Sequence, residues 1–211
     1  MSPVQGVSDV PGLDRQVSSP VLDGHSEPWH DAPVVVVGVD PGTQRCGYGV
    51  VARTGSRLRV VESGVLVPGN HDLPRRLALI LEGLEAIFSR AHADAVAVET
   101  VFAGVSPRSA LVLGQARGVV LASAARAGLP VSEYAPQQAK LALTGNGRAE
   151  KAQMVHMVRA LFGVTALLAD EADAIALAVC HIGRGLQQLP APRAGAPRSP
   201  PPRPRRTRGA A

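Results

Sequence analysis

The middle of the chain carries runs of apolar residues with the two periods of regular secondary structure. Residues 34–39 (VVVVGV) form an uninterrupted, β-branched run, which is typical of a central strand buried on both faces. Pro41-Gly42 follows as a turn before residues 47–52 (GYGVVA), which predicts a hairpin. In all, the pattern predicts five strands, over residues 34–39, 47–52, 57–67, 95–98 and 129–134.

Segments with helical periodicity lie between and after these strands. Leucines and a phenylalanine recur at helical spacing over residues 73–88 with charged residues between them, as in an amphipathic helix packed on a sheet. Ser106 and Pro107 form a start signal for a helix to about residue 127. Two more helices are predicted after the loop at residues 144–147, over 149–162 and 170–183. This order predicts an α/β fold in which helices flank a mixed five-stranded sheet.

Both ends of the chain differ in composition from this region. Residues 1–32 lack apolar periodicity and hold five acidic residues against one arginine. Residues 190–211 contain six arginines and seven prolines and no acid, which favours an extended, solvated tail. We therefore expect a disordered N-terminal extension, a folded domain over residues 33–189 and a disordered basic tail. Much of the net charge of +5 comes from that tail, so it is weak support for nucleic-acid binding.

Composition narrows the class further. The chain has 211 residues, and its 45% hydrophobic content excludes a wholly disordered protein. Its two cysteines are too few for a disulfide scaffold or a zinc ribbon. No apolar run reaches the roughly 18 residues that span a bilayer, and the acidic start does not match a secretory signal. The expectation is a cytoplasmic protein with reduced thiols and no membrane contact.

Four carboxylates stand where acids are costly. Asp40 ends the first buried strand, and Glu99 ends the fourth. Asp170 and Asp173 are three residues apart and share a helix face, whereas Glu171 faces elsewhere. If the strand ends are neighbours and the helix crosses nearby, the four side chains form an all-oxygen cluster. Such a cluster suits Mg²⁺ or Mn²⁺, and two such ions about 4 Å apart can promote phosphodiester cleavage.

Each acid also has a simpler interpretation. Asp40 stands before Pro-Gly as a turn acid does, and Glu99 can be the solvated end of a strand. Asp170 can cap a helix or interact with its dipole. Asp173 is harder to explain structurally because apolar residues surround it in DEADAIALAVCH. The combination of the four, more than any one of them, indicates a metal site.

In five segments the chain resembles the RuvC family of Holliday-junction resolvases, which are crossover-junction endodeoxyribonucleases. They are VVGVDPGTQRCGYGVV (36–51), AVETVFAG (97–104), SALVLGQARGVVLA (109–122), EYAPQQAKLALTGNGRAEKAQMVHMVRALF (133–162) and DEADAIALAVCH (170–181). The resemblance implies a ribonuclease-H-like fold, a homodimer, and Mg²⁺-dependent cleavage of two opposed strands of a four-way DNA junction. It also implies work beside a branch-migration helicase complex of the RuvA–RuvB type, in recombination and repair.

The resemblance assigns roles to particular residues. Its catalytic, metal-binding acids match Asp40, Glu99, Asp170 and Asp173, which implies two Mg²⁺ ions per subunit, with Mn²⁺ as a possible substitute. Its basic residues near the scissile phosphate match Lys140 and Lys151, and its aromatic residue inserted at the junction matches Phe102. Arg148, in the same Gly-rich loop region, can add a phosphate contact. The chain departs from the family at Val105 and Ser106, so no DNA contact transfers to these two positions.

Three of these residues also have a simpler interpretation. Lys140 and Lys151 can be solvated helix residues, although they flank a Gly-rich loop that allows backbone to approach a phosphate. Phe102 can be a core residue, although a base–aromatic stack contributes on the order of 1–3 kcal/mol with any base. For the whole protein, the alternatives are a ribonuclease-H-like nuclease that acts on RNA and a junction-binding protein without activity.

Overall fold

A computed structural model of the chain describes residues 33–100 and 106–185. Their five strands form one mixed sheet, in the order β3-β2-β1-β4-β5, which confirms the predicted sheet. Within it β2 is antiparallel to β1 and β3, whereas β4 is parallel to β1 and β5. The strands are Val34–Asp40 (β1), Cys46–Thr54 (β2), Arg57–Leu66 (β3), Ala95–Glu99 (β4) and Val131–Tyr134 (β5).

Helices connect and cover these strands. They are Leu73–Ala91 (α1), Pro107–Arg126 (α2), Pro136–Thr144 (α3), Lys151–Phe162 (α4) and Ala169–Gly185 (α5). The sequence pattern did not predict α3, which has only nine residues. Pro136 starts it, and the Gln138 side chain accepts a hydrogen bond from the backbone N–H of Ala135. None of the helices in the described ranges is both long and apolar enough to cross a membrane.

The sheet has an apolar layer on each face. One layer joins β1, β2 and β4 to α1 and α2, with Ile80, Leu84 and Val120 fully buried. The other joins the sheet to α3, α4 and α5, with Met154 and Ile175 at its centre. This double cover explains why β1 is apolar at nearly every position.

Helix α5 lies against the sheet at unusually short range. A Cβ atom added to Gly38 of β1 would stand 1.9 Å from the carbonyl oxygen of Ala174. A Cβ atom added to Gly47 of β2 would stand 2.3 Å from the carbonyl oxygen of Asp170. Glycine is therefore required at both positions, and it fixes the amino end of α5 beside the end of β1.

The pairing of β1 with β4 sets the position of the first two acids. The two strands are parallel, with Val39 opposite Val98. The next residue on each strand is Asp40 and Glu99, so both side chains lie at the same edge of the sheet. This edge, where β1 and β4 end, is the carboxyl edge of the sheet.

Candidate active site

Asp40 and Glu99 meet at the carboxyl edge. The two carboxyl groups lie close enough to affect each other's pKa, and the pKa of Asp40 is raised. Burial is the largest cause, and the negative charges of Glu99, Asp173 and Asp170 add to it, raising the pKa of Asp40 to about 8. Because three negatively charged neighbours contribute besides burial, negative charge is concentrated at the carboxyl edge. The edge is therefore a site that attracts a cation.

Helix α5 adds the other two acids. Asp170 lies in its first turn, and Asp173 lies one turn further on. The Nε atom of Arg45, in the loop between β1 and β2, lies 2.7 Å from Oδ2 of Asp170. The Nζ atom of Lys151 lies 3.9 Å from Oδ2 of Asp173. Asp170 and Asp173 thus each form an ion pair with a basic residue from a different part of the chain.

Lys140 of α3 and Lys151 of α4 lie near these acids, although neither helix carries an acid of the cluster. Burial raises the pKa of Asp173 and of Glu99, and the positive charges of Lys151 and Lys140 partly offset the rise in both. The two lysines are positive charges that could neutralise a phosphate brought to the carboxyl edge. Their position near the acids fits a role near the scissile phosphate, and the 71% exposure of the Lys151 side chain also fits a solvated helix residue.

The four acidic side chains offer only oxygen atoms as metal ligands, which is what Mg²⁺ and Mn²⁺ prefer. In the part of the chain that the structure describes, no group of three or more His, Cys, Asp or Glu side chains is arranged to hold a metal ion jointly. In this arrangement Asp170 is paired with Arg45, and Asp173 is paired with Lys151. The chemistry of the donors fits a divalent ion, and joint binding needs side-chain rotation.

Glu171 takes the separate role that its position predicts. Its carboxylate Oε2 accepts a hydrogen bond of 2.7 Å from the backbone N–H of Leu168, just before α5. This bond satisfies a free donor at the amino end of the helix. Glu171 therefore stabilises the start of α5 and does not belong to the acid cluster.

Arg148 lies in the loop between α3 and α4. Its backbone N–H donates to Oδ1 of Asn146 at 3.0 Å, and the N–H of Asn146 donates to Oγ1 of Thr144 at 3.1 Å. These two backbone donors are satisfied within the loop, so a phosphate would depend on side chains here. Among residues 33–100 and 106–185, Arg148 forms no ion pair with the acid cluster.

The remaining sequence assignments lie at the segment before α2. Phe102 and Val105 fall outside the described residues. Ser106 is the N-cap of α2, where its Oγ accepts a hydrogen bond of 3.2 Å from the N–H of Ser109. The cap that the sequence predicts is therefore present.

Arg45 is the residue of this site that the sequence pattern did not indicate. It stands 125 positions before Asp170, in a turn that carries no charge pattern of its own. Only the fold, which places α5 across the end of β1, brings the two side chains together.

Comparison with known proteins agrees with this geometry. Residues 36–181 match the model of the family described as crossover junction endodeoxyribonuclease RuvC. A relative of that name from Anaeromyxobacter sp. (strain K) is 62% identical over 162 residues, which cover 77% of this chain and 88% of the relative. The relative of the same name from Frankia alni is 46% identical over 173 residues, or 80% of this chain and 87% of the relative.

Solved structures give the same result. Thermus thermophilus RuvC in complex with a Holliday junction substrate matches with a TM-score of 0.66 and 35% identity, over 71% of this chain and 93% of that one. The yeast mitochondrial Holliday junction resolvase Ydc2 shares the fold, with a TM-score of 0.53, 15% identity, and coverage of 70% of this chain and 77% of that one. The five-stranded sheet is thus the ribonuclease-H-like sheet that the sequence predicts. The chain belongs to the RuvC family of crossover junction endodeoxyribonucleases.

Proposed function

We propose that this chain is a structure-selective endodeoxyribonuclease, which hydrolyses phosphodiester bonds in two opposed strands of a four-way DNA junction during recombination and repair. One observation carries the proposal at this site. The ends of β1 and β4 and the first turns of α5 bring four carboxylates near one another, and burial together with the three neighbouring acids raises the pKa of Asp40 to about 8. Because so much negative charge is costly in a stable fold, we infer that the cluster serves catalysis.

Asp40, Glu99, Asp170 and Asp173 would hold the divalent ions, for which we propose two Mg²⁺ per subunit. When bound, such ions polarise the phosphate, lower the pKa of a water and stabilise the leaving oxygen. The chain supplies the oxygen ligands and the rigid placement of β1, β4 and α5. Mn²⁺ has a similar ligand preference and is the proposed substitute.

Lys140 and Lys151 would bind the phosphate that is cut. Both lie close enough to the acids to offset part of the rise that burial causes in the pKa of Glu99 and of Asp173. A positive charge at that position attracts the phosphodiester backbone and offsets charge that develops during cleavage. Arg148 would extend this positive surface along the strand by its side chain.

Phe102 would act on the bases. It lies three residues beyond Glu99 in the sequence, so a stack on an unpaired base would place the neighbouring phosphate near the acids. Stacking is indifferent to the identity of the base. The expected contribution of Phe102 is therefore to the opening of the junction and not to sequence preference.

A homodimer would match two symmetric cuts, with one active site per subunit. The structure offers α2 as a contact surface. A Cβ atom added to Gly114 or Gly118 would meet nothing within 4 Å, and the side chain of Leu111 on the same helix is 65% exposed. This glycine-containing face allows a second α2 to approach closely. The proposed dimer would thereby cover an apolar residue that is exposed in one protomer.

The proposed setting is the cytoplasm, together with a branch-migration helicase complex of the RuvA–RuvB type. Cys46 and Cys180 are both free and buried, which fits a reducing compartment. The helicase partnership is supported by membership of the family, and no particular surface of this chain is assigned to it.

The test is cleavage of a synthetic four-way junction by the purified protein, with a linear duplex of the same sequence as control. In Mg²⁺ we expect paired nicks in opposed strands of the junction and intact duplex. In chelator both substrates should stay intact. Equal cleavage of the two DNAs would contradict structure selectivity, and binding without cleavage in either metal would support a junction-binding protein instead.

A further inference from the structure

Arg45 contacts the acid cluster, but the proposed nuclease mechanism gives it no role. Its Nε atom donates a hydrogen bond of 2.7 Å to Oδ2 of Asp170, one of the four acids. The side chain of Arg45 is 49% exposed and that of Asp170 is 23% exposed. The guanidinium thus reaches from solvent to the rim of the acid cluster and occupies an oxygen that a divalent ion would need.

Only the side chains of this pair are free to change. Gly47 packs against the backbone of Asp170, so α5 already lies as close to the sheet at this point as a glycine allows. A Cβ atom added to Gly42 would stand 2.2 Å from the carbonyl oxygen of Arg45, so the turn that carries Arg45 is also tightly closed. Loss of the Arg45 side chain should therefore alter the charge at Asp170 and leave the backbone of the site in place.

We propose that Arg45 is a positioning residue that holds the Asp170 carboxylate in the metal-free protein and gives it up when a divalent ion binds. This inference rests on the proposed function, because it takes Asp170 as a metal ligand. A guanidinium and a divalent cation compete for the same carboxylate oxygen and repel each other. Arg45 therefore weakens metal binding to the free protein and keeps the acid cluster partly neutralised until the ion arrives.

The consequence is a metal affinity that is lower than the four acids alone would give. Lys151 stands 3.9 Å from Asp173 and acts in the same direction on the other acid of α5, although it also serves the phosphate. Arg45 has no such second role in the proposed mechanism. It is thus the residue at which metal affinity can be changed without removing a ligand or a phosphate contact.

The experiment measures Mn²⁺ binding to the full chain without DNA, by the loss of the free-ion signal in electron paramagnetic resonance. Arg45→Gln removes the charge, and Arg45→Lys keeps it. Arg126→Gln is the matched control, since Arg126 is an exposed arginine paired with Glu85 at the far end of the twenty-residue α2. Asp40→Asn reports whether the Mn²⁺ counted is bound at the acid cluster.

We expect Arg45→Gln to bind Mn²⁺ about three- to fivefold more tightly than the unaltered chain, the size of effect that one exposed ion pair gives. Arg45→Lys should stay within about twofold of the unaltered chain, and Arg126→Gln should not differ from it. The Mg²⁺ concentration for half-maximal junction cleavage should fall in Arg45→Gln by the same factor.

Three results would overturn the inference. Unchanged or weaker Mn²⁺ binding in Arg45→Gln, with binding still lost in Asp40→Asn, would remove the role of Arg45 and leave the proposed nuclease intact. Equal tightening in Arg45→Gln and Arg126→Gln would reduce the effect to net charge. If Asp40→Asn binds as much Mn²⁺ as the unaltered chain, the metal site itself is wrong, and the inference fails with it.

Discussion

Two partly buried carboxyl groups on the same sheet, those of Glu62 and Asp40, have opposite surroundings. On β3, Glu62 accepts hydrogen bonds from Tyr48 Oη at 2.8 Å and from Arg90 Nε at 3.1 Å, and Arg90 Nη2 also contacts it. The hydrogen bond from Arg90 is the largest cause that lowers the pKa of Glu62. At the carboxyl edge, burial and neighbouring acids raise the pKa of Asp40 to about 8.

The difference separates a carboxylate that stabilises the fold from one that costs stability. Glu62 is charged, and both of its oxygens have a donor, so the ion pair ties β3 to α1. Asp40 faces three further acids, and its nearest partner, Glu99, is itself an acid. Proteins keep such an arrangement when the missing positive charge comes from elsewhere. In this chain the divalent ions would supply it.

The largest effect should come from Asp40→Asn. We expect junction cleavage to fall by about a hundredfold or more, since a lost metal ligand removes several kcal/mol of transition-state stabilisation. Junction binding should persist, and the metal-free variant should unfold at a higher temperature than the unaltered chain, because Asn avoids both the burial of a charge and the like-charge repulsion that raise the pKa of Asp40. Gel-shift and single-turnover assays on the same junction separate binding from cleavage. Undiminished cleavage would remove Asp40 from the metal site.

Lys151→Ala should have the next largest effect. Loss of one positive charge at the scissile phosphate should reduce the cleavage rate about tenfold. The salt dependence of junction binding should also become shallower, by about one unit of slope if one phosphate contact is lost. Measurement of binding across a series of KCl concentrations gives that slope, with Arg126→Gln as the control. An unchanged rate and slope would show that Lys151 only neutralises Asp173.

Glu62→Gln should act on stability in the sense opposite to Asp40→Asn. We expect it to lower the free energy of unfolding by about 1 kcal/mol, because it weakens the pairing with Arg90. Cleavage measured well below the melting temperature should not change. Urea unfolding followed by circular dichroism provides the measurement, and a loss of cleavage without a loss of stability would contradict the distinction between the two groups.

The same pair gives a pH signature. The pKa of Glu62 in the folded protein lies below its ordinary value of 4.5, so the stabilisation is present above pH 4.5. It is lost as the pH falls through the folded-state pKa, because the unfolded chain then binds the proton first. The stability difference between the unaltered chain and Glu62→Gln should therefore be constant from pH 5.5 to pH 7, about one to three pH units above that value, and shrink below it.

Deletion of residues 190–211 should have the smallest effect on the site. It removes six arginines, so affinity for any DNA should fall. The ratio of junction to duplex binding should stay the same, because selectivity depends on the folded domain. Competition binding with both DNAs measures the ratio. Loss of selectivity would assign the tail a role in junction recognition.

Much of this architecture could be predicted from the sequence, because buried strands and amphipathic helices leave strong patterns. The pairing of Asp40 with Glu99 follows from two apolar strands that each end in an acid. Helix α3 was missed because nine residues hold too few periods to stand out. The Arg45–Asp170 pair was missed because its partners are 125 residues apart and only the docking of α5 joins them.

The central claim is that the four carboxylates share divalent ions, and crystals of the protein with Mn²⁺ test it most directly. An anomalous difference map should show peaks within about 2.5 Å of carboxylate oxygens from Asp40 and from at least one acid of α5. Peaks elsewhere, or none at Mn²⁺ concentrations that support cleavage, would contradict the account.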